Sequence, residues 1–263
     1  MRHRFTAPFL TLLAILVVSP ALSSQMAEPH AAMAAQAAAT TPDLSGLWIR
    51  LRDKGAAARG YPSFVLDFGS AMSPMTPWAA SKFKTTYAMY HGDDAQTVLS
   101  DPIFRCYPPG VPRIYLMNFP MQVVQIPGQV IMLFEYDHFI RRIYTDGRPH
   151  DMDQGPLWMG DTTGKWEGDT LVADTTGFND KTLLDRVGHV HSDALHVVER
   201  LRRTDPDTLE IEFTVDDAKA FTKPWSTKLI FQQKPDWKVM ENVCEDNAGF
   251  EEFNKKATQD PKK

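Results

Sequence analysis

Short apolar segments separated by turn residues fill the chain from about residue 113 onward. In several of them apolar and polar residues alternate, the pattern typical of antiparallel β structure. A first strand opens at 43–48, and the further predicted strands are 114–118, 121–126, 130–139, 140–144, 157–167, 170–176, 195–203, 209–216, 226–233 and 238–244.

The links between these segments carry suitable turn residues: Pro127-Gly128, Asp146-Gly147, Gly168-Asp169 and Asp205-Pro206-Asp207. Helical segments do not alternate with the strands, which excludes a parallel α/β sheet. The predicted fold is mainly β: an antiparallel meander closing into a barrel of about 8–10 strands, because closure removes exposed sheet edges. One helix is predicted near the N-terminus, at 76–89, with Pro77 in its first turn.

The segment that begins at Leu195 shows how the faces divide. Leu195, Val197 and Leu201 recur at every second position and belong on the inner face. Glu199 shares their spacing, so the same alternation predicts a carboxylate inside the barrel.

The first forty residues have no strand pattern. Basic residues at 2–4, an apolar run at 9–18 and small residues before a cut after Ser23 indicate a signal peptide at 1–23. An Ala-rich tether at 24–42, a single β-barrel domain at 43–253 and a flexible polar tail at 254–263 follow. The protein is expected to be exported, to the periplasm or beyond the cell.

The composition and motifs exclude several classes of binding partner. The net charge of −5 lacks the basic excess that nucleic-acid binding requires. The apolar run of the leader is shorter than the about 20 residues that span a bilayer, so a membrane-embedded protein is not expected. Neither a phosphate loop nor a dinucleotide fingerprint occurs, and no cofactor is predicted. The pattern assigns no oligomeric state.

Two cysteines occur, Cys106 and Cys244. An even number in an exported chain favours one disulfide between them, joining an early loop to the last strand. The alternative is two buried free thiols.

Several motifs resemble those of a family of exported bacterial proteins of unassigned function. They are Asp101-Pro102 with Cys106 and 108–113 (PPGVPR), 135–139 (EYDHF), 164–171 (GKWEGDTL) and 174–178 (DTTGF). The resemblance covers most of the chain after the leader and implies no activity. The opening Ser45-Gly46-Leu47-Trp48 is also similar to that of calycin or lipocalin-like barrels, which implies a cavity for a small apolar or aromatic ligand.

The sequence Glu135-Tyr136-Asp137-His138 follows an apolar strand, where a barrel mouth is expected. If Met132 and Phe134 face inward, Tyr136 and His138 continue on that face as an acid–base pair, with Asp137 orienting the imidazole. Glu199 adds a second acid–base group. The alternative is an aromatic girdle with a hydrogen-bonded histidine.

Candidate substrate-binding residues are Arg141 and Arg148, as anchors for an acidic substrate, together with Trp166 and His191. His189 and His191 alternate along the chain and His196 follows, the spacing of imidazoles on one strand face. A Glu at cupin spacing is missing, so no metal is predicted; if one binds, these three histidines are its ligands.

The sequence therefore predicts a barrel with a small-molecule cavity that catalyses a cofactor-independent lyase, hydratase or isomerase reaction on an apolar or aromatic substrate. A carrier that leaves its ligand unchanged is the first alternative, and a metal-dependent enzyme that uses the histidine cluster is the second. An adhesion or scaffold protein would instead need a large exposed apolar patch.

Overall fold

The structure is a computed structural model that describes residues 41–51, 68, 72–91 and 101–246. The predicted signal peptide, the tether up to residue 40 and the predicted tail lie outside the described residues. Within the described ranges no helix has the length and apolar character needed to cross a bilayer.

Nine strands form one closed barrel in chain order. They are β1 (Gly46–Arg50), β2 (Met121–Ile126), β3 (Gln129–Phe134), β4 (Ile140–Tyr144), β5 (Asp161–Glu167), β6 (Thr170–Thr176), β7 (His196–Asp205), β8 (Thr208–Asp216) and β9 (Trp225–Gln233), and the helix α1 spans Pro77–His91. The predicted fold class, a mainly β meander closed into a lipocalin-like barrel with one short helix, is confirmed. β1 closes the barrel by pairing with β9.

One pair of neighbouring strands departs from the antiparallel rule. β4 and β5 run parallel, with Tyr144 beside Thr163, while every other neighbouring pair is antiparallel. The connections β1–β2, β3–β4, β6–β7 and β8–β9 therefore leave the barrel at the same end. We call this the loop end, and α1 and the segment 101–120 lie in its β1–β2 connection.

The interior of the barrel is filled from two sources. The first source is the strands, whose alternate residues point inward; on β7 and β8 these include Val197, Leu201 and Phe213, all fully buried. The second source is the segment predicted as a strand at 114–118, which instead forms a 3₁₀ helix, Arg113–Leu116. Its Tyr115 ring packs against Phe134, Phe213 and Phe231, on β3, β8 and β9.

Three further strand predictions need correction. The strand predicted at 130–139 ends at Phe134, and the strand predicted at 157–167 begins only at Asp161. The segment 238–244 contains no strand, because β9 already completes the barrel by pairing with β1.

The predicted disulfide between Cys106 and Cys244 is confirmed. The Cα atoms lie 5.6 Å apart, within the usual range for such a bridge. Cys244 begins the 3₁₀ helix Cys244–Asp246 rather than lying in a last strand. The bridge ties the chain beyond β9 to the β1–β2 connection at the loop end.

Candidate functional site

A cleft of about 330 Å³ lies at the loop end, between α1 and the β6–β7 connection. Its volume falls at the lower end of the range typical of small-molecule sites. The residues that line the cleft include the apolar Trp78, Leu183 and Val190 and the charged Lys82. Thr182 and His191 also line it, and we call these two residues the floor of the cleft.

Thr182 and His191 form a hydrogen-bonded pair at this floor, and both are buried. The Nδ1–H of His191 donates to the carbonyl of Ser192 at 2.9 Å. This contact leaves Nε2 of the neutral imidazole as an acceptor, and the hydroxyl of Thr182 donates to it at 2.6 Å. The arrangement is that of a base hydrogen-bonded to a hydroxyl, with a backbone carbonyl fixing the tautomer.

Burial lowers the pKa of His191 below its usual value of 6.5, against the opposing influence of the Ser192 hydrogen bond and the Asp217 carboxylate. The imidazole is therefore neutral near pH 7 and can accept a proton. A buried titratable group with a perturbed pKa in a cleft is a typical mark of a functional site.

The carbonyl that holds His191 is itself held in place. Ser192 donates both its backbone N–H and its hydroxyl to the carboxylate of Asp217, at 2.6 and 2.8 Å. Asp217 also accepts from the backbone N–H groups of Lys219 and Ala220, in the β8–β9 connection. Asp217 therefore couples the position of His191 to a second connection of the loop end.

The backbone at Gly110 packs closely against the side chain of Thr182. Gly110 has φ +79, and a Cβ at this position would lie 2.7 Å from the Thr182 hydroxyl oxygen. Only glycine combines this backbone conformation with that contact. The segment around Gly110 thus fixes the hydroxyl relative to the cleft.

The other wall of the cleft is α1, which docks onto the β6–β7 connection. Thr86 donates its hydroxyl to the carbonyl of Gly188, and the ring of Phe83 stacks on His189 at 4.2 Å. His189 in turn contacts the buried Asp185 through Nδ1 at 2.5 Å. These contacts give His189 a role in holding the helix against the connection.

Glu199 lies inside the barrel, where the alternation places it, and is fully buried. It forms a salt bridge with Arg141, a predicted substrate anchor. The guanidinium also donates to Tyr115 and Thr175. Burial raises the pKa of Tyr115 well above its usual value. The structure thus brings Glu199 and Arg141 together inside the barrel, and neither lines the cleft.

Tyr136, Asp137 and His138 do not continue the inward face of β3. The extended backbone ends at Phe134, and Asp137 and His138 take left-handed φ angles of 50° and 56°. The expectation that His138 points inward is therefore wrong, because this turn leaves its side chain exposed. Tyr136 packs against Phe119 and Phe139, and burial raises its pKa to about 12.

The carboxylates of this turn hold the chain that follows β9. Asp137 accepts from the backbone N–H of Cys244 at 3.1 Å, and Glu135 accepts from that of Met240 at 2.8 Å. These contacts give the turn a docking role at the loop end.

Arg148 and Trp166 lie together in a second, more open groove of about 870 Å³ on the outer wall of β5 and β6. The Arg148 guanidinium donates to Asp146 and stacks over the ring of Tyr144 at 3.9 Å. The structure thus brings together two of the predicted substrate-binding residues, away from His191.

The three histidines considered as metal ligands do not converge. His189 contacts Asp185, His191 contacts Thr182, and His196 contacts Asp174. The described part of the chain contains no group of three or more His, Cys, Asp or Glu side chains arranged to hold a metal ion.

Thr182 is the residue that sequence reasoning missed. An isolated antiparallel bridge between Leu183 and Val190 folds the β6–β7 connection back on itself and brings Thr182 beside His191. Gly188, with φ +108, lies in this fold-back, but a single glycine does not indicate which residues the turn brings together.

A comparison with known proteins finds no family model and no curated protein that matches the chain. The geometry of the cleft is therefore the basis for a functional hypothesis.

Proposed function

We propose that this protein is an exported small-molecule enzyme that catalyses cofactor-independent proton transfer, of the lyase, hydratase or isomerase class, in the cleft at the loop end. The observation that carries the proposal is the Thr182–His191 hydrogen bond of 2.6 Å at the floor of that cleft. The Cys106–Cys244 disulfide supports export, because such bridges persist in oxidising compartments.

His191 acts as the general base. It is neutral near pH 7 because burial lowers its pKa, and its Nε2 lone pair is directed at the Thr182 hydroxyl. When the Thr182 oxygen accepts a proton from the substrate, the proton that Thr182 already carries moves to His191 Nε2, so Thr182 remains a neutral hydroxyl. The Ser192 carbonyl then stabilises the imidazolium through the Nδ1–H.

The first test is a thermal-shift screen of the protein against aromatic, terpenoid and organic-acid compounds, since a ligand of the native state raises the melting temperature. Each ligand found is then incubated with the protein in D₂O and followed by NMR for deuterium incorporation or conversion. We expect His191→Gln to bind the ligand and to lower the rate by about 100-fold to 10,000-fold.

His196→Gln is the matched control, because it removes an imidazole on the outer wall that contacts Asp174. Thr182→Val provides a second test that keeps the side-chain shape, in case His191→Gln does not fold. Wild-type rates in both cleft variants would overturn the assignment. Ligands that bind but neither exchange nor convert would make the protein a carrier.

A further inference from the structure

We infer that the ligand of the cleft is a small hydroxycarboxylic acid with an apolar body. The inference rests on the proposed function and identifies the class of molecule that the same cleft recognises. Three parts of the cleft carry it: two ammonium groups, an aromatic wall and a floor that presents hydrogen-bond acceptors.

The charged residues that line the cleft are Lys82 on α1 and Lys181 and Asp180 on the β6–β7 connection. Lys82 Nζ lies 5.6 Å from the ring centre of Trp78, and Lys181 Nζ lies 5.7 Å from that of Trp158. The two cations exceed the single carboxylate, although the whole chain carries a net charge of −5. A local excess of ammonium groups beside a cleft favours an anionic group, and a carboxylate is the simplest one that two lysines bind.

The walls of the cleft match an apolar body. Trp78 lines it from α1, and Leu183 and Val190 line it from the β6–β7 connection. A flat or branched hydrocarbon group in this space loses water-exposed apolar surface, which is the main driving force for binding in such clefts.

The floor selects a hydrogen-bond donor. The Thr182 proton is engaged by His191 Nε2, and the Nδ1 proton by Ser192. What these two side chains still present to a ligand are the lone pairs of the Thr182 oxygen, and Nε2 itself if Thr182 turns away. A ligand hydroxyl can donate to these acceptors, whereas a carboxylate or carbonyl oxygen at the same place would meet only lone pairs.

Three probes separate these contributions. Phenyllactate carries the carboxylate and the hydroxyl, phenyllactamide lacks the charge, and 3-phenylpropanoate lacks the hydroxyl. We expect phenyllactate to bind the protein about tenfold more tightly than either of the others, as measured by titration calorimetry. Its advantage over the amide should shrink as salt is added, because both lysines are exposed.

Substitutions in the cleft test which residues cause the preference for the acid and which cause the preference for the hydroxyl. Lys82→Gln with Lys181→Gln should abolish the preference for acid over amide and leave the preference for the hydroxyl. Thr182→Val should do the reverse. Lys84→Gln is the matched control, since Lys84 lies on α1 but does not line the cleft, and it should change neither preference.

Equal binding of acid and amide, an acid preference that survives in the double lysine variant, or no binding of any probe up to about 10 mM would overturn the inference. These results are distinct from the failure of the proposed function. Probes that bind with the expected preferences, yet undergo neither deuterium exchange nor conversion, would support the ligand class and contradict proton transfer.

Discussion

At the scale of single residues, several buried polar side chains contact one another directly. Arg141 pairs with Glu199, Arg113 with Asp101, and Thr182 with His191. An unpaired buried polar group would cost the free energy of its lost hydration, so each pair constrains where its members lie. Only the last of these pairs lines the cleft.

The buried state of His191 predicts a pH dependence of stability. Burial lowers its pKa in the folded protein below 6.5, so as the pH falls through that value the unfolded chain takes up a proton that the folded protein does not. The contribution to the free energy of unfolding is present above about pH 6.5 and decreases at lower pH. Urea unfolding of the wild type and of His191→Gln between about pH 8 and about pH 5 measures it. We expect the free energy of unfolding of the wild type minus that of His191→Gln to fall toward low pH. A value that stays constant or rises toward low pH would contradict the prediction.

The buried salt bridge inside the barrel predicts an asymmetry between single and double variants. Glu199→Gln leaves the Arg141 guanidinium without its counter-charge in an apolar interior, at a cost of about 3–5 kcal/mol in the free energy of unfolding. Arg141→Met combined with Glu199→Leu removes both charges and should cost less than either single change.

Chemical denaturation compares these variants with Arg200→Gln. Arg200 forms an exposed salt bridge with Glu167 on the outer wall, which should contribute less than about 1 kcal/mol. Equal losses of unfolding free energy in Glu199→Gln and Arg200→Gln would contradict the prediction that the buried salt bridge matters more than the exposed one.

At the scale of elements, the position of each segment relative to the barrel decides its conformation. Residues 114–116 are as apolar as a strand, yet together with Arg113 they form a 3₁₀ helix because the barrel is already closed and its interior accepts Tyr115. The turn at 135–139 ends β3 early and binds the chain beyond β9.

The disulfide joins two other segments outside the strands, and its cysteines are 138 residues apart in the chain. Replacing Cys106 and Cys244 with Ala together should lower the free energy of unfolding by up to about 4–5 kcal/mol, because the bridge restricts the unfolded chain. Thermal unfolding of the variant, with the reduced wild type as the control, measures the loss. An unchanged melting temperature in both would contradict this prediction.

At the scale of the whole molecule, closure of the barrel depends on the contact between its first and last strands. Leu51 donates its N–H to Ile230, and Lys234 donates to the carbonyl of Leu47. The antiparallel alternation then directs the N–H of Ile49 toward Gln232 on β9. Closure therefore depends on a short strand at the start of the described chain.

Ile49→Pro should open the barrel, because proline removes this N–H from the ladder between β1 and β9. We expect a loss of about 3 kcal/mol or more in stability, together with association of the exposed edges. Ile49→Thr keeps both the N–H and the branched shape and is the matched control. Unfolding curves and size-exclusion chromatography compare the two, and a monomeric Ile49→Pro protein of wild-type stability would contradict the expectation.

The sequence by itself determined the barrel, the inward position of Glu199 and the disulfide pairing. Alternation records which face of an extended strand is buried, and turn residues mark where strands end. Two cysteines allow a single intramolecular bridge.

Only the tertiary structure decided where the candidate site lies. Alternation carries information as long as the backbone stays extended, so it could not follow Tyr136 and His138 through a left-handed turn. Thr182 meets His191 because a connection folds back on itself and a helix from elsewhere in the chain covers it. Such contacts depend on the packing of segments without a shared period, and that packing is set by the closed barrel beneath them.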